Sequence, residues 1–91
     1  MDDVSVTTVA VIGLGYIGLP TAAALSRFGV RVHGVDVNPD IVEALNRGET
    51  LIVEPALGEA VEAAVRAGLL TASTSIPSAD AYVVAVPTPF R

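Results

Sequence analysis

Gly13, Gly15 and Gly18 stand at G-x-G-x-x-G spacing, directly after the apolar run Val9-Ala10-Val11-Ile12. The chemistry that this spacing offers comes from the backbone. Glycines there bring main-chain N–H groups close to an anion. Gly13 permits a tight turn where a side chain would clash. Gly15 lets the main chain approach a pyrophosphate, and Gly18 lets the following helix pack closely on the strand. The N–H groups of Tyr16 and Ile17 are expected at the helix start, unpaired within the helix and directed at the anion.

Three glycines alone also fit a helix cap or a loop. Two neighbouring features favour a dinucleotide. A Val- and Ile-rich strand precedes the motif, and a second strand, Val30 to Asp36, ends in an acid. Asp36 lies roughly 20 residues past the glycines, where an acid grips the adenosine ribose hydroxyls. A carboxylate there accepts from the 2′-OH and repels a 2′-phosphate, so NAD is expected over NADP. Thr88, within Pro87-Thr88-Pro89, fits either a cofactor contact or a plain strand stop. His33, the sole histidine, has no matched acid or serine constellation and reads as an ordinary strand side chain. Glu54 is a lone carboxylate and reads as a polar lead-in to a helix. The chain has no cysteine, so no disulfide, thiolate nucleophile or Cys-ligated metal is expected. No catalytic residue and no metal site is assigned.

The elements that would position these residues follow from periodicity and punctuation. Val6 to Ile12 read as the first strand, and about Tyr16 to Phe28 as the first helix. Pro20 falls in that helix's first turn, where a missing N–H costs little. Thr21 to Leu25 give it a slim face, and Gly29 caps it. After the second strand, Asn38-Pro39 reads as an N-cap followed by the first helical residue. Ile41, Ala44 and Leu45 share one face of this helix, and Gly48 ends it. Pro55 opens a third helix with a stripe of Leu57, Ala60, Val61, Ala64 and Val65, closed by Gly68. Leu69 to Ser73 read as a short third strand. Ala81 to Val86 are unbroken apolar residues and read as a strand buried on both faces, stopped by Pro87. The alternation implies an α/β fold: a partial Rossmann-type parallel sheet of order 3-2-1-4 with flanking helices.

Length and charge bound the alternatives. Ninety-one residues allow one domain, marginal for burying a core alone. The 52% hydrophobic content and mean hydropathy of +0.62 suit strands covered on both faces, or a piece of something larger. A net charge of −5 disfavours nucleic acid as a partner. No apolar run is long enough to cross a bilayer, and the acidic start Met1-Asp2-Asp3 argues against a secretory signal. A cytoplasmic location is the expectation.

Val11 to Ala23, with its Gly-Leu-Gly-Tyr-Ile-Gly-Leu-Pro core, resembles the start of the UDP-glucose/GDP-mannose dehydrogenase family. Gly34-Val35-Asp36-Val37-Asn38 is similar to that family's ribose-binding strand end, and Ala85 to Phe90 to the segment ending its fourth strand. Asn46 to Glu49, with Ile52 to Pro55, resembles the branch acting on UDP-N-acetyl-D-mannosamine. The resemblance runs from about Val9 to Phe90. It implies NAD as cofactor, contacted through Tyr16, Ile17, Asp36 and Thr88. Ile41 stands near where relatives place a basic residue beside the ribose.

The resemblance also implies a parent enzyme that oxidises the C6 hydroxymethyl of a UDP-sugar to the uronate with two NAD. In relatives the catalytic cysteine, the lysine and the sugar-binding domain lie beyond the position of Arg91. Residues 1–91 therefore read as the N-terminal part of an NAD-binding domain, without the chemistry. A homo-oligomer, or self-association through the Ala81–Val86 edge, is expected. The competing readings are a free-standing nucleotide-binding module and another Rossmann oxidoreductase.

Overall fold

Four short strands pair side by side: β1 (Thr8–Ile12), β2 (Arg31–Val35), β3 (Leu70–Ser73) and β4 (Ala81–Val84). All three pairings are parallel, and the order is β3-β2-β1-β4. The expected fold class and strand order both hold. The computed structural model describes residues 8–50, 52 and 54–85. Val6, Val86 and the Pro87-Thr88-Pro89 stop lie outside the described residues.

Three helices connect the strands: α1 (Gly18–Arg27), α2 (Pro39–Asn46) and α3 (Pro55–Arg66). They pack on one face of the sheet. Val9, Val11, Val32, Leu70 and Ala72 supply that face. Leu19, Ala22 and Ala23 of α1, Val42 and Leu45 of α2, and Val61 and Ala64 of α3 cover it. The alanines of α1 are the reason it lies close to the sheet: Ala22 and Ala23 are buried without holding the helix away. On α2, Val42 is buried and Ile41 only partly so. Asn38 caps α2 as expected, its side chain accepting from the Asp40 N–H at 2.9 Å. Glu54 turns out to be the N-cap of α3, accepting from the Leu57 N–H at 2.7 Å.

Two expectations need correction. The first helix begins at Gly18, so Tyr16 and Ile17 form the turn that feeds it. No side chain caps this helix, and periodicity cannot distinguish a lead-in turn from a first helical turn. The second concerns β4, which is not buried on both faces. Its burial alternates, with Tyr82 48% and Val84 67% exposed. Ala81 and Val83 face the helices. Alternation places Tyr82 and Val84 on the opposite face, with His33 of β2 and Thr71 and Ser73 of β3, and no helix covers that face among the described residues.

Candidate functional site

The chain runs outward from β1 in both directions, to β2 and β3 on one side and β4 on the other. The reversal leaves a crevice beyond the carboxyl ends of the strands, where open α/β sheets bind ligands. The glycine turn occupies that point. Gly13 adopts φ +98°, a conformation that favours glycine. Its N–H donates to the Val35 C=O at 2.8 Å, which fastens the turn to β2. A Cβ on Gly18 would lie 1.6 Å from the Gly13 carbonyl oxygen, so α1 and the turn touch backbone to backbone. A Cβ on Gly15 would meet nothing within 4 Å. Gly15 therefore leaves open space outside the turn, while Gly18 fills space within it.

Tyr16 and Ile17 sit beside this opening, 84% and 71% exposed. Ile17 is the N-cap of α1 and makes no side-chain cap bond, and the first turn holds no acid. Pro20, in that turn, has no N–H to satisfy. The helix start thus keeps donors and positive dipole available to an anion.

Asp36 follows β2 at the same end of the sheet. Its Oδ2 accepts from the Leu14 N–H at 2.9 Å and its Oδ1 from the Asn38 N–H at 3.0 Å. Sequence reasoning missed this role: Asp36 ties the glycine turn to the α2 lead-in. Each oxygen retains lone-pair capacity for a further donor. Asp36 also lines a crevice of about 190 Å³ with Gly13, Val37, Thr74 and Ile76. Thr74 and Ile76 carry no local signal in the sequence. Their signal lay in the topology, since a sheet order of 3-2-1-4 puts the end of β3 beside the end of β2. A second crevice of about 230 Å³ lies across the turn, between Gly15, Tyr16, Ile41 and Ile52. The expected contacts at Gly13, Gly15, Tyr16, Ile17, Gly18 and Asp36 are therefore gathered at one end of the sheet. Thr88 lies outside the described residues. A groove of about 470 Å³ between α1 and α3 is lined mainly by alanines and lies away from the turn.

His33 is bonded through both ring nitrogens, to Ser73 Oγ at 2.9 Å and Thr71 Oγ1 at 3.2 Å. Burial lowers its pKa from the ordinary 6.5. The unfolded chain then takes up this proton before the folded one does, so acid favours unfolding. The contribution is complete above pH 6.5 and is lost as pH falls through 6.5 towards the folded value. Urea denaturation at pH 7.5 and 5.5 should show lower stability at the acid end. His33→Gln should remove that part of the slope; an unchanged slope would contradict it.

The residues fit a dinucleotide: an anion-ready helix start, an open Gly15, and a carboxylate directly after β2. Comparisons with known proteins agree. Residues 7–91 match the model of the UDP-glucose/GDP-mannose dehydrogenase family, NAD binding domain. The UDP-N-acetyl-D-mannosamine dehydrogenase of Salmonella typhi is 59% identical over 96% of this chain and 21% of its own length. The NDP-N-acetyl-D-galactosaminuronic acid dehydrogenase of Ralstonia nicotianae is 50% identical over 97% of this chain and 21% of its own. Among solved structures, the UDP-N-acetyl-mannosamine dehydrogenase of Staphylococcus aureus superposes with a TM-score of 0.87 at 42% identity, covering 91% of this chain and 20% of that one. The GDP-mannose dehydrogenase of Pseudomonas aeruginosa, a ternary complex, gives a TM-score of 0.86 at 32% identity, covering 91% of this chain and 20% of that one. The chain thus spans about a fifth of the length of the relatives it matches. It belongs to the UDP-glucose/GDP-mannose dehydrogenase family, matching that family's NAD-binding domain.

Proposed function

We propose that this chain holds the adenosine half of NAD for a nucleotide-sugar 6-dehydrogenase acting on a UDP-amino sugar, with UDP-N-acetyl-D-mannosamine as the leading substrate. The observation that carries the NAD site is the open Gly15 beside the α1 start, with Asp36 bonded to the Leu14 N–H of the same turn. The 59% identity to a UDP-N-acetyl-D-mannosamine dehydrogenase supports the substrate. NAD supplies a hydride acceptor. The parent enzyme would use two NAD to oxidise the C6 hydroxymethyl of the UDP-sugar to the uronate. No residue described here is assigned to that chemistry. The N–H groups of Tyr16 and Ile17 bind the pyrophosphate, Asp36 binds the ribose, and Thr88 is a further proposed contact.

Asp36 also sets cofactor choice. Its carboxylate accepts from a 2′-OH and repels a 2′-phosphate. Arg31 stands at the opposite end of β2, and Arg47, the C-cap of α2, pairs with Glu49 at 3.3 Å. Neither is placed to receive a 2′-phosphate. NAD should bind at least about tenfold more tightly than NADP, the scale of one charge-assisted bond. Paired titrations check this, and equal affinities would sink the assignment of Asp36.

The outer edge of β4 has no partner strand among the described residues, and Tyr82 and Val84 are exposed beside it. Such an edge is a template for another chain. The 91-residue chain should self-associate through β4, with its mass in light scattering rising with concentration. A mass that stays monomeric across the concentration range would contradict this.

A further inference from the structure

His33 lies on the face of the sheet that the helices leave bare, away from the core. Nothing in core packing requires it to be bonded at both nitrogens, so the direction of those bonds is informative. The Ser73 hydroxyl has one proton, and it is donated to the Ser75 C=O at 2.7 Å. Ser73 Oγ must therefore accept from His33, which puts the ring proton on Nε2. In the neutral ring Nδ1 is then an acceptor, and the Thr71 hydroxyl donates to it. The bonds run one way: Thr71 to His33, His33 to Ser73, Ser73 to Ser75.

Ser73 is also joined to the cofactor crevice through its main chain. Its C=O accepts from the Asp36 N–H at 3.2 Å. Ser73 ends β3, and beyond it the chain has no regular structure until β4. Thr74 and Ile76, the crevice wall opposite Asp36, lie in this loop. Tyr82 secures the far side: its hydroxyl donates to the Pro77 C=O at 2.9 Å and accepts from the Ala79 N–H at 3.0 Å. The wall is thus held from one side by Tyr82 and from the other by a serine whose rotamer His33 sets.

We infer that His33 is a positioning residue for the nucleotide crevice, acting through Ser73 to hold the Thr74–Ile76 wall against Asp36. The inference rests on the reading of that crevice as the adenosine site of NAD. It accounts for a polar, doubly bonded ring on β2 at the β3 end of a loop that Tyr82 holds from its other end.

The test uses NAD itself and the 91-residue chain, with calorimetric titration of wild type, His33→Leu, His33→Gln and Gly15→Val. His33→Leu removes the donor at similar size and should weaken NAD about fivefold, the scale of one hydrogen bond. His33→Gln places an amide N–H where Nε2–H was and should restore affinity to within about twofold of wild type. Because the chain has a single histidine, long-range proton–nitrogen correlation spectra report its tautomer without ambiguity, and Nε2–H is expected. Wild-type affinity in His33→Leu, equal weakening in both His33 variants, or an Nδ1–H tautomer would each overturn the inference. Gly15→Val, far from His33 in sequence, separates the two layers. If it abolishes binding while His33→Leu does not weaken it, only the positioning role fails. If it leaves binding intact, the reading of this end of the sheet as the NAD site fails, and the inference with it.

Discussion

Gly18→Ala should unfold the turn that the whole site depends on. The added Cβ would stand 1.6 Å from the Gly13 carbonyl oxygen and 2.8 Å from its carbonyl carbon. Both are backbone atoms, so no side chain can rotate away to make room. The Gly13 turn is itself fastened to β2 through the Val35 C=O, and the Leu14 N–H to Asp36, so α1 would have to lift from the sheet. That would open the packing of Leu19, Ala22 and Ala23 on β1 and β2. We expect a cost of roughly 3 kcal/mol or more, at the severe end of overpacking. For a domain of this size the melting temperature should fall on the order of 15 °C. Thermal denaturation followed by circular dichroism checks this. A melting temperature close to wild type would show that α1 does not press on Gly13.

Gly15→Val should give the opposite separation of effects. The space around Gly15 is open, and its φ is not among the positive values found at Gly13, Gly29, Gly48 and Gly68. A side chain there costs the fold little. It would, however, occupy the ground through which a pyrophosphate approaches the Tyr16 and Ile17 N–H groups. NAD affinity should fall about 100-fold, equivalent to losing two hydrogen bonds to a charged group. The melting curve should stay within about 3 °C of wild type, as for substitutions that break no packing. Normal NAD affinity with an unchanged melting curve would place the phosphates elsewhere. Two glycines of one motif, three residues apart, are thus distinguished by what a Cβ would meet.

Much of this architecture was legible in the residues because parallel α/β folds leave strong marks. Gly13, Gly15, Gly18 and Asp36 specify a strand, a turn, a helix and a second strand by spacing alone. Asn38-Pro39, Pro55, Gly48 and Gly68 punctuate the helices through caps that depend on local backbone chemistry. What was not legible depends on neighbours distant in sequence. Ala81 to Val86 are apolar throughout, but composition cannot say whether a helix covers the second face; in the structure Tyr82 and Val84 are exposed. The Asp36 carboxylate reads as a ribose ligand, yet its bond to the Leu14 N–H spans 22 residues and has no local signature. His33 looked inert because its partners, Thr71 and Ser73, are about 40 residues away and meet it only through strand register.

The adenosine half of NAD is proposed at one end of the sheet, built from the glycine turn, Asp36 and the Thr74–Ile76 loop. Titration of the isotope-labelled chain with NAD, read residue by residue from backbone amide shifts, tests it most directly. Saturable shifts are expected at Gly15, Tyr16, Ile17, Asp36, Thr74 and Ile76, with the alanine-lined groove between α1 and α3 unmoved. Shifts confined to that groove, or none at Gly15 and Asp36 at saturating NAD, would contradict it.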